Sequence, residues 1–426
     1  MRRPQEAVIG NLRPVLSLLL SVGLLLAGSG LQFTLLPLRG RAEDFSTLAL
    51  GIIASAYYVG FVSGCLLGPY AIRRAGHIRA FAAMLAIATA STLAYALAPD
   101  PVAWTVFRLI TGFALAGFFL VIESWLNDRA TNQTRGVVMS AYVAINFGAI
   151  VAGQLLVTLH PVEEAGTFML SAILCALAIV PVAMTKSAQP AQIQAVSFHP
   201  GWLYRAAPVA LIAAFMVGVA NGAFWGLAPV SVAGSGLNDG QVAVFMSVSV
   251  LAGALAQWPV GRLSDRYDRR LVLMWLLIGA AMTGVALWVV AATGPALLVF
   301  GFIFGALTLP TYALAAAHAY DKTPTSDMVA TAATVLLVNG AGAALGPLLA
   351  TAVMTPEGPR RLFLFIAAVQ AALALYVYYR TRVQAPPRPI DKTDFDMAAT
   401  APVGAVVVTE PDEEAPRPLS APQPAS

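Results

Sequence analysis

Long apolar segments recur along the chain, separated by short stretches of polar, proline and glycine residues. A helix needs roughly 20 mostly apolar residues to cross a bilayer. Segments of this kind fall near residues 14–38, 47–70, 79–98, 102–124, 136–159, 165–185, 204–231, 240–262, 271–292, 295–318, 328–354 and 361–380. The first is too long for a cleaved signal peptide, so we interpret it as a helix that stays in the membrane. The pattern predicts an all-α integral membrane protein with twelve transmembrane helices.

The distribution of lysine and arginine predicts how these helices are oriented. If both termini are cytoplasmic, seventeen of these residues lie on the cytoplasmic side and four lie outside. The four outer residues are Arg39, Arg41, Arg360 and Arg361, and the seventeen are Arg2, Arg3, Arg13, Arg73, Arg74, Arg79, Arg129, Arg135, Lys186, Arg205, Arg262, Arg266, Arg269, Arg270, Lys322, Arg380 and Arg382. Cytoplasmic loops carry the excess of positive charge. We therefore expect both termini in the cytoplasm, an even number of spans and a location in a bacterial inner membrane.

The two halves of the chain contain an internal repeat. Matching residues recur at an offset of 192 or 193 in the pairs Gly30/Gly222, Pro37/Pro229, Arg74/Arg266, Asn146/Asn339 and Gly153/Gly346. The order and direction are the same in both halves, which is typical of parallel six-helix repeats. We predict six-helix bundles over residues 1–185 and 204–382, joined by a cytoplasmic loop over 186–203. The proline-rich, acidic residues 383–426 are expected to be a disordered cytoplasmic tail that transport does not need.

Composition excludes several classes of function. Charged residues make up 11% of the chain, against about 25% in an ordinary soluble domain. The three lysines offer no basic patch for nucleic acid. The sequence has no phosphate-binding loop of an ATP-driven pump, and its cysteines and histidines lack metal-ligand spacing. We expect no cofactor or metal. We also expect no enzyme activity, because neither paired acids nor a histidine cluster falls at one depth in the membrane.

Residues 261–270 read GRLSDRYDRR and closely resemble the G-x-x-x-D-R-x-G-R-R loop of the major facilitator superfamily, with Asp268 in the second glycine position. In that family the loop joins helices 2 and 3 and recurs between helices 8 and 9. The resemblance implies the twelve-helix fold of a secondary transporter. It also implies a cytoplasmic gate, in which an acid at a helix end is held by arginines and locks the two bundles together on one face. The gate residues are Asp265, Arg266, Arg269 and Arg270. A plain cytoplasmic anchor is the alternative.

The first copy of this loop, residues 69–77, is degenerate, because Arg73 occupies the acidic position next to Arg74. Glu123 is the one acid predicted to lie partly inside the membrane, near the cytoplasmic end of helix 4. It can replace the missing gate acid by pairing with Arg73, Arg74 or Arg79, which we favour, or it can carry protons.

Helix 4 also contains Arg108 and Gly112, similar to the R-x-x-x-G of many facilitators. Arg108 lies about 10 Å below the outer end of its helix. A cation at this depth costs several kcal/mol unless it meets water or a partner, so we expect it to face a central cavity. The alternative is that its side chain extends to the outer interface.

Residues 121–124, 257–263 and 308–310 are similar to the YcaD-like bacterial branch of the superfamily, which implies no particular substrate.

In this superfamily, helices 1, 4, 7 and 10 line the central cavity, with helices 5 and 11 beside them. The resemblance then implies a substrate site built from Gln32, Arg108, Asn146, Asn221, Trp225, Tyr312 and Asn339. Asn146 and Asn339 can equally bond across packed helices, and Tyr57 and Tyr58 are interpreted as packing. We expect a small-molecule substrate and a monomer in the lipid bilayer. Efflux of amphipathic drugs and a sensor that does not transport remain the alternatives.

Overall fold

The computed structural model describes residues 15–130, 134–185, 198–289, 294–355 and 358–383. Within these residues, twelve helices are long and apolar enough to cross a membrane. They are α1 (Leu16–Ala42), α2 (Thr47–Ala75), α3 (His77–Leu97), α4 (Pro101–Arg129), α5 (Arg135–Leu159), α6 (Gly166–Ala183), α7 (Pro208–Ala233), α8 (Asp239–Arg266), α9 (Arg269–Val289), α10 (Pro295–Tyr320), α11 (Met328–Thr351) and α12 (Arg361–Val383). A short helix, Pro200–Ala206, precedes α7. The tail and most of the predicted central loop lie outside the described residues.

The twelve predicted helices are confirmed, but several extend past their apolar segments. Helices α2 and α4 each contain 29 residues, which corresponds to about 43 Å, whereas the hydrocarbon core of a bilayer is about 30 Å thick. The polar ends of these helices therefore extend into the interfacial regions. An apolar pattern indicates only the part of a helix that lies in lipid. The pattern therefore predicted an end of α4 near residue 124, whereas the helix continues to Arg129.

Polar residues in the short loops fix where several helices begin. The side chain of Ser46 accepts a hydrogen bond from the backbone N–H of Ala49 and starts α2. Asp100 caps α4 in the same way, with Pro101 in the first helical position. At α8, Asn238 and Gln241 form a reciprocal capping box. Each cap satisfies backbone N–H groups that have no partner within the helix.

The internal repeat seen in the sequence is present in the helix packing. Gly153 of α5 lies against the backbone of α1 at Ala27, and Gly346 of α11 lies against the backbone of α7 at Val219. The two contact points on α1 and α7 are again 192 positions apart. The same relation links Gly112 in α4, packed on Tyr57, to Gly305 in α10, packed on Ser249. The chain therefore folds as two pseudo-symmetric six-helix bundles.

These close crossings give a stability prediction. A Cβ atom added at Gly153 would overlap the carbonyl oxygen of Ala27, whereas one added at the exposed Gly148 of the same helix meets nothing within 4 Å. We expect Gly153→Ala to lower stability by about 1–3 kcal/mol, because α1 and α5 must move apart. Thermal unfolding in detergent measures this effect. Gly148→Ala is the matched control and should be neutral or slightly stabilising. Equal transition temperatures for both variants would contradict the packing argument.

The two bundles meet along α1 and α7, α2 and α7, α2 and α11, and α5 and α8. We call the end of the molecule at which α1 ends and α2 begins the outer end, and the opposite end the inner end. Near the outer end, Gly51 of α2 packs against Thr351 of α11, and Gly226 of α7 packs against Ala54 of α2. The outer halves of the bundles are therefore in direct contact in this conformation.

Candidate functional site

Arg108 of α4 is buried, with 6% of its surface exposed. The Cζ atom of its guanidinium lies 4.5 Å from the ring centroid of Tyr57 in α2 and 5.1 Å from that of Phe33 in α1. A cation within about 6 Å of an aromatic face is attracted to it, by about 2 kcal/mol or more where water is excluded. Arg108 is thus held against two rings of its own bundle and extends neither into lipid nor to the outer surface.

The opposite bundle contributes a third ring. Trp225 of α7 lies 5.4 Å from Phe33, measured between ring centroids. Phe33 and Trp225 are 192 positions apart in the sequence, so they are counterparts in the internal repeat and meet where the two bundles face each other. We name Phe33, Tyr57, Arg108 and Trp225 the aromatic site. A centroid distance of 5.4 Å is contact distance for aromatic rings, so a solute that enters between the bundles here has to separate them.

The aromatic site carries a positive charge. Among the residues that the structure describes, ion pairs join Arg39 to Glu43, Arg269 to Asp265 and Asp321, and Arg270 to Asp268, and none includes Arg108. The Tyr95 hydroxyl, 3.5 Å from that of Thr111, also belongs to the N-terminal bundle and carries no formal charge that could balance the guanidinium. A buried cation without a counter-ion is costly, and the cation–π contacts offset only part of that cost. The site is therefore suited electrostatically to an anion.

A second group of polar residues lies nearer the inner end. Glu123 is 1% exposed, and its carboxylate accepts a hydrogen bond of 2.7 Å from the Tyr142 hydroxyl of α5. It follows Arg108 by 15 positions on α4, or about 22 Å, so the two charges do not pair. The Asn146 side chain lies beside the Tyr142 hydroxyl. Tyr312 of α10 packs against apolar side chains of the C-terminal bundle.

The arginines expected to pair with Glu123 are on the protein surface. Arg73, Arg74 and Arg79 are exposed, and the Arg73 guanidinium lies 4.7 Å from the centroid of the Tyr70 ring. Glu123 is buried between α4 and α5. The pairing with these arginines was predicted for a state that is closed at the inner end, so the gate and the proton carrier both stay predictions for Glu123.

The remaining polar residues of the predicted site fall in different surroundings. The side-chain amide of Gln32 donates to Thr92 and Ser171, at 2.9 and 3.0 Å, inside the N-terminal bundle. Asn339 donates to the Ala214 carbonyl of α7 at 2.8 Å, a contact that joins packed helices. The structure does not bring these two residues to the aromatic site. Asn221 lies one turn before Trp225, and its buried Oδ1 atom has no hydrogen-bond partner among the described residues.

At the inner end of the C-terminal bundle, Arg269 joins α9 to α8 and α10. Its Nε atom donates to Asp321 at 2.8 Å and its Nη1 atom to Ser264 at 3.0 Å, while Asp265 lies 3.4 Å away. Arg269 and Asp265 were predicted from the sequence, but Asp321 was not. No motif signals this acid, which is 52 positions away from Arg269 along the chain.

Residues 261–270, which resemble the family's loop, are mostly helical, because α8 continues through Arg266. The Arg266 side chain is exposed. The turn is confined to Tyr267 and Asp268. The Asp268 carboxylate accepts hydrogen bonds from the backbone N–H of Arg270, at 2.9 Å, and from its guanidinium, at 2.7 Å. Burial would raise the pKa of Asp268, but the hydrogen bonds and charge of Arg270 outweigh burial and hold that pKa below its usual range. A charged Asp268 therefore caps α9 in the glycine position of the family motif.

Twelve membrane-crossing helices in two pseudo-symmetric bundles, with a charged aromatic site where the bundles meet, define the class of membrane transporters built from paired six-helix repeats. The chain belongs to the major facilitator superfamily, whose model matches residues 18–208 and 210–421. It is 30% identical over 359 residues to the uncharacterized MFS-type transporter YcaD of Escherichia coli O7:K1 (strain IAI39 / ExPEC), which covers 84% of this chain and 93% of the relative.

Two solved structures show the same fold. The nucleoside transporter NupG superimposes with a TM-score of 0.73 at 16% identity, over 87% of this chain and 99% of that chain. The bacterial homologue of the human lysosomal transporter Spinster, in its inward-facing and unoccupied conformation, gives a TM-score of 0.70 at 14% identity, over 90% of this chain and 98% of that chain. At these identities the likeness extends to the fold alone.

Proposed function

We propose that this protein is a secondary transporter that moves a small organic solute across a bacterial inner membrane by alternating access, as a monomer with both termini in the cytoplasm. One observation carries the proposal: a buried cation, Arg108, lies among aromatic rings from both bundles. A solute at this position contacts both bundles at once. Its binding energy therefore changes when the bundles move relative to each other, and this dependence is what alternating access requires.

The contact between Phe33 and Trp225 is suited to close one route to the site. The two rings belong to α1 and α7, which are counterparts in the repeat, and they touch while the outer halves of the bundles are together. Separation of the outer halves would part the rings and admit a solute from that side. The same pair of rings would then cover the solute again when the outer halves close.

The proposal includes coupling to protons through Glu123. Its buried carboxylate accepts a hydrogen bond from the Tyr142 hydroxyl of α5. An ionisable group inside a membrane domain is a site for proton transfer where it faces the bundle interior and not lipid. Glu123 meets this condition, because it is 1% exposed and its carboxylate is bonded to a neighbouring helix of its own bundle.

Flux into proteoliposomes tests the proposed function. We expect the purified protein to transport at least one member of a panel of metabolites and amphipathic drugs, and to accumulate it when a pH gradient is imposed. Arg108→Gln should reduce that flux at least tenfold, because a buried charge that contacts the solute is lost. Arg382→Gln is the matched control, since this exposed arginine also lies on an aromatic ring, Tyr378, at 5.1 Å. Solute binding without any flux would favour a sensor and contradict the proposal.

A further inference from the structure

We propose that the aromatic site selects an organic anion with one negative charge, carried on a carboxylate-like group, and a flat apolar body. This inference rests on the proposed function and names its substrate class. The observation behind it is the combination, in one place, of a cation without a counter-ion among the described residues and three aromatic rings from two bundles.

The charge of the ligand follows from the charges around Arg108. Among the described residues no carboxylate pairs with this arginine. On its own helix the flanking acids are Asp100, which caps the helix about 12 Å away, and Glu123, about 22 Å away. A cationic solute would meet repulsion at the site. A ligand with two negative charges would leave one of them buried without a partner, which is costly. One negative charge neutralises the site.

The form of the charged group follows from the guanidinium itself. Arginine has five N–H donors in a rigid, planar arrangement that matches the two oxygens of a carboxylate. The printed contacts of the Arg108 guanidinium are with the faces of Phe33 and Tyr57. A ring face does not use up the N–H donors at the edge of the guanidinium plane, so these donors can make a bidentate contact with a carboxylate or a group of the same shape.

The body of the ligand follows from the rings. Phe33 lies between the other two rings, with its centroid 5.4 Å from that of Tyr57 and 5.4 Å from that of Trp225. Tyr58 extends this surface, 5.2 Å from Tyr57. Aromatic surfaces bind flat apolar groups by burial and by offset or edge-to-face contact. The Oδ1 atom of Asn221, one turn from Trp225, has no hydrogen-bond partner among the described residues and provides an acceptor for an N–H or O–H group on that body.

Equilibrium binding to the purified full-length protein tests the substrate class. The probes are indole-3-acetate and benzoate, their neutral amides, benzylammonium as a cation of similar size, and acetate as an anion without a ring. We expect both aromatic carboxylates to bind at least tenfold more tightly than their amides and than acetate, and benzylammonium not to bind. Titration calorimetry measures affinity.

Variants connect this selectivity to Arg108. In Arg108→Gln the preference for carboxylate over amide should disappear, and in Arg108→Lys it should fall about tenfold, because a fork of donors becomes a point charge. Arg382→Gln should retain the full preference. Thermal unfolding of each variant shows whether it is folded. Carboxylates that bind no better than amides, a preference that survives in Arg108→Gln, or a failure of both aromatic carboxylates to bind at millimolar concentration would each overturn the inference.

Flux measurements with the same probes separate this inference from the proposed function. If aromatic carboxylates bind in an Arg108-dependent way but no solute is transported, the substrate class stands and the transport function fails. If a neutral or cationic solute is transported while the carboxylates neither bind nor compete, transport stands and the substrate class fails.

Discussion

Replacement of Asp321 by alanine should destabilise the C-terminal bundle by about 3 kcal/mol, because removal of one partner of a buried ion pair leaves the other partner's charge poorly compensated. The Asp321 side chain is 0% exposed and that of Arg269 is 1% exposed, and they are joined by a hydrogen bond of 2.8 Å. Asp265 also lies near Arg269, at 3.4 Å, but its side chain is 33% exposed. Asp265 therefore compensates only part of the lost interaction.

Thermal or denaturant unfolding in detergent measures this loss. Asp265→Ala is the matched control, and it should cost less than about 1 kcal/mol, because the Asp265 side chain is partly exposed and its contact with Arg269 is longer. The double variant Arg269→Met with Asp321→Leu should recover most of the stability, since it removes both charges together. An Asp321→Ala protein as stable as Asp265→Ala would contradict the role assigned to this ion pair.

The Arg269–Asp321 pair also shows what a motif in a sequence can and cannot predict. The arginines of residues 261–270 identified the charged inner end of the C-terminal bundle, since a spacing of this kind is specific. The partner acid belongs to the end of α10, and it reaches Arg269 only because α8, α9 and α10 pack together. No local pattern connects the two residues, so only the folded bundle reveals the pair.

The fold was predictable because the bilayer imposes it. Apolar segments of helical length, short loops and an offset of 192 or 193 residues were sufficient to predict twelve helices in two bundles. The glycine crossings of α5 and α11 repeat with that offset. The offset also contains a signal about the site that was not used. It pairs Trp225, which was predicted to line the cavity, with Phe33, which was not.

The rotation of each helix about its axis was not predictable. Gln32 and Phe33 are neighbours on α1 and point about 100° apart. The polar residue was the natural choice for a substrate site, but it bonds to α3 and α6 while Phe33 meets the other bundle. In a membrane domain both polar and aromatic residues can face the interior, so side-chain type alone does not identify the face that lines the cavity.

Glu123→Gln should abolish accumulation driven by a pH gradient while exchange of solute across the membrane persists. Glutamine has nearly the same shape as glutamic acid and can still accept the hydrogen bond from Tyr142, so the packing between α4 and α5 is preserved. It cannot gain or lose a proton, so alternate protonation is lost and the bundles can exchange solute but cannot use the gradient. A residue that only held the inner end closed would act differently, because its loss would slow exchange and accumulation together.

The measurement compares two assays on one preparation of proteoliposomes: counterflow of labelled solute without a gradient, and uptake against a concentration gradient with a pH difference. Glu164→Gln, at an exposed acid in the loop before α6, is the matched control and should retain both activities. The expected signature is normal counterflow with an accumulation ratio that falls to one. If both activities instead decline in parallel, Glu123 is a gate residue, and proton coupling has to be sought at another group.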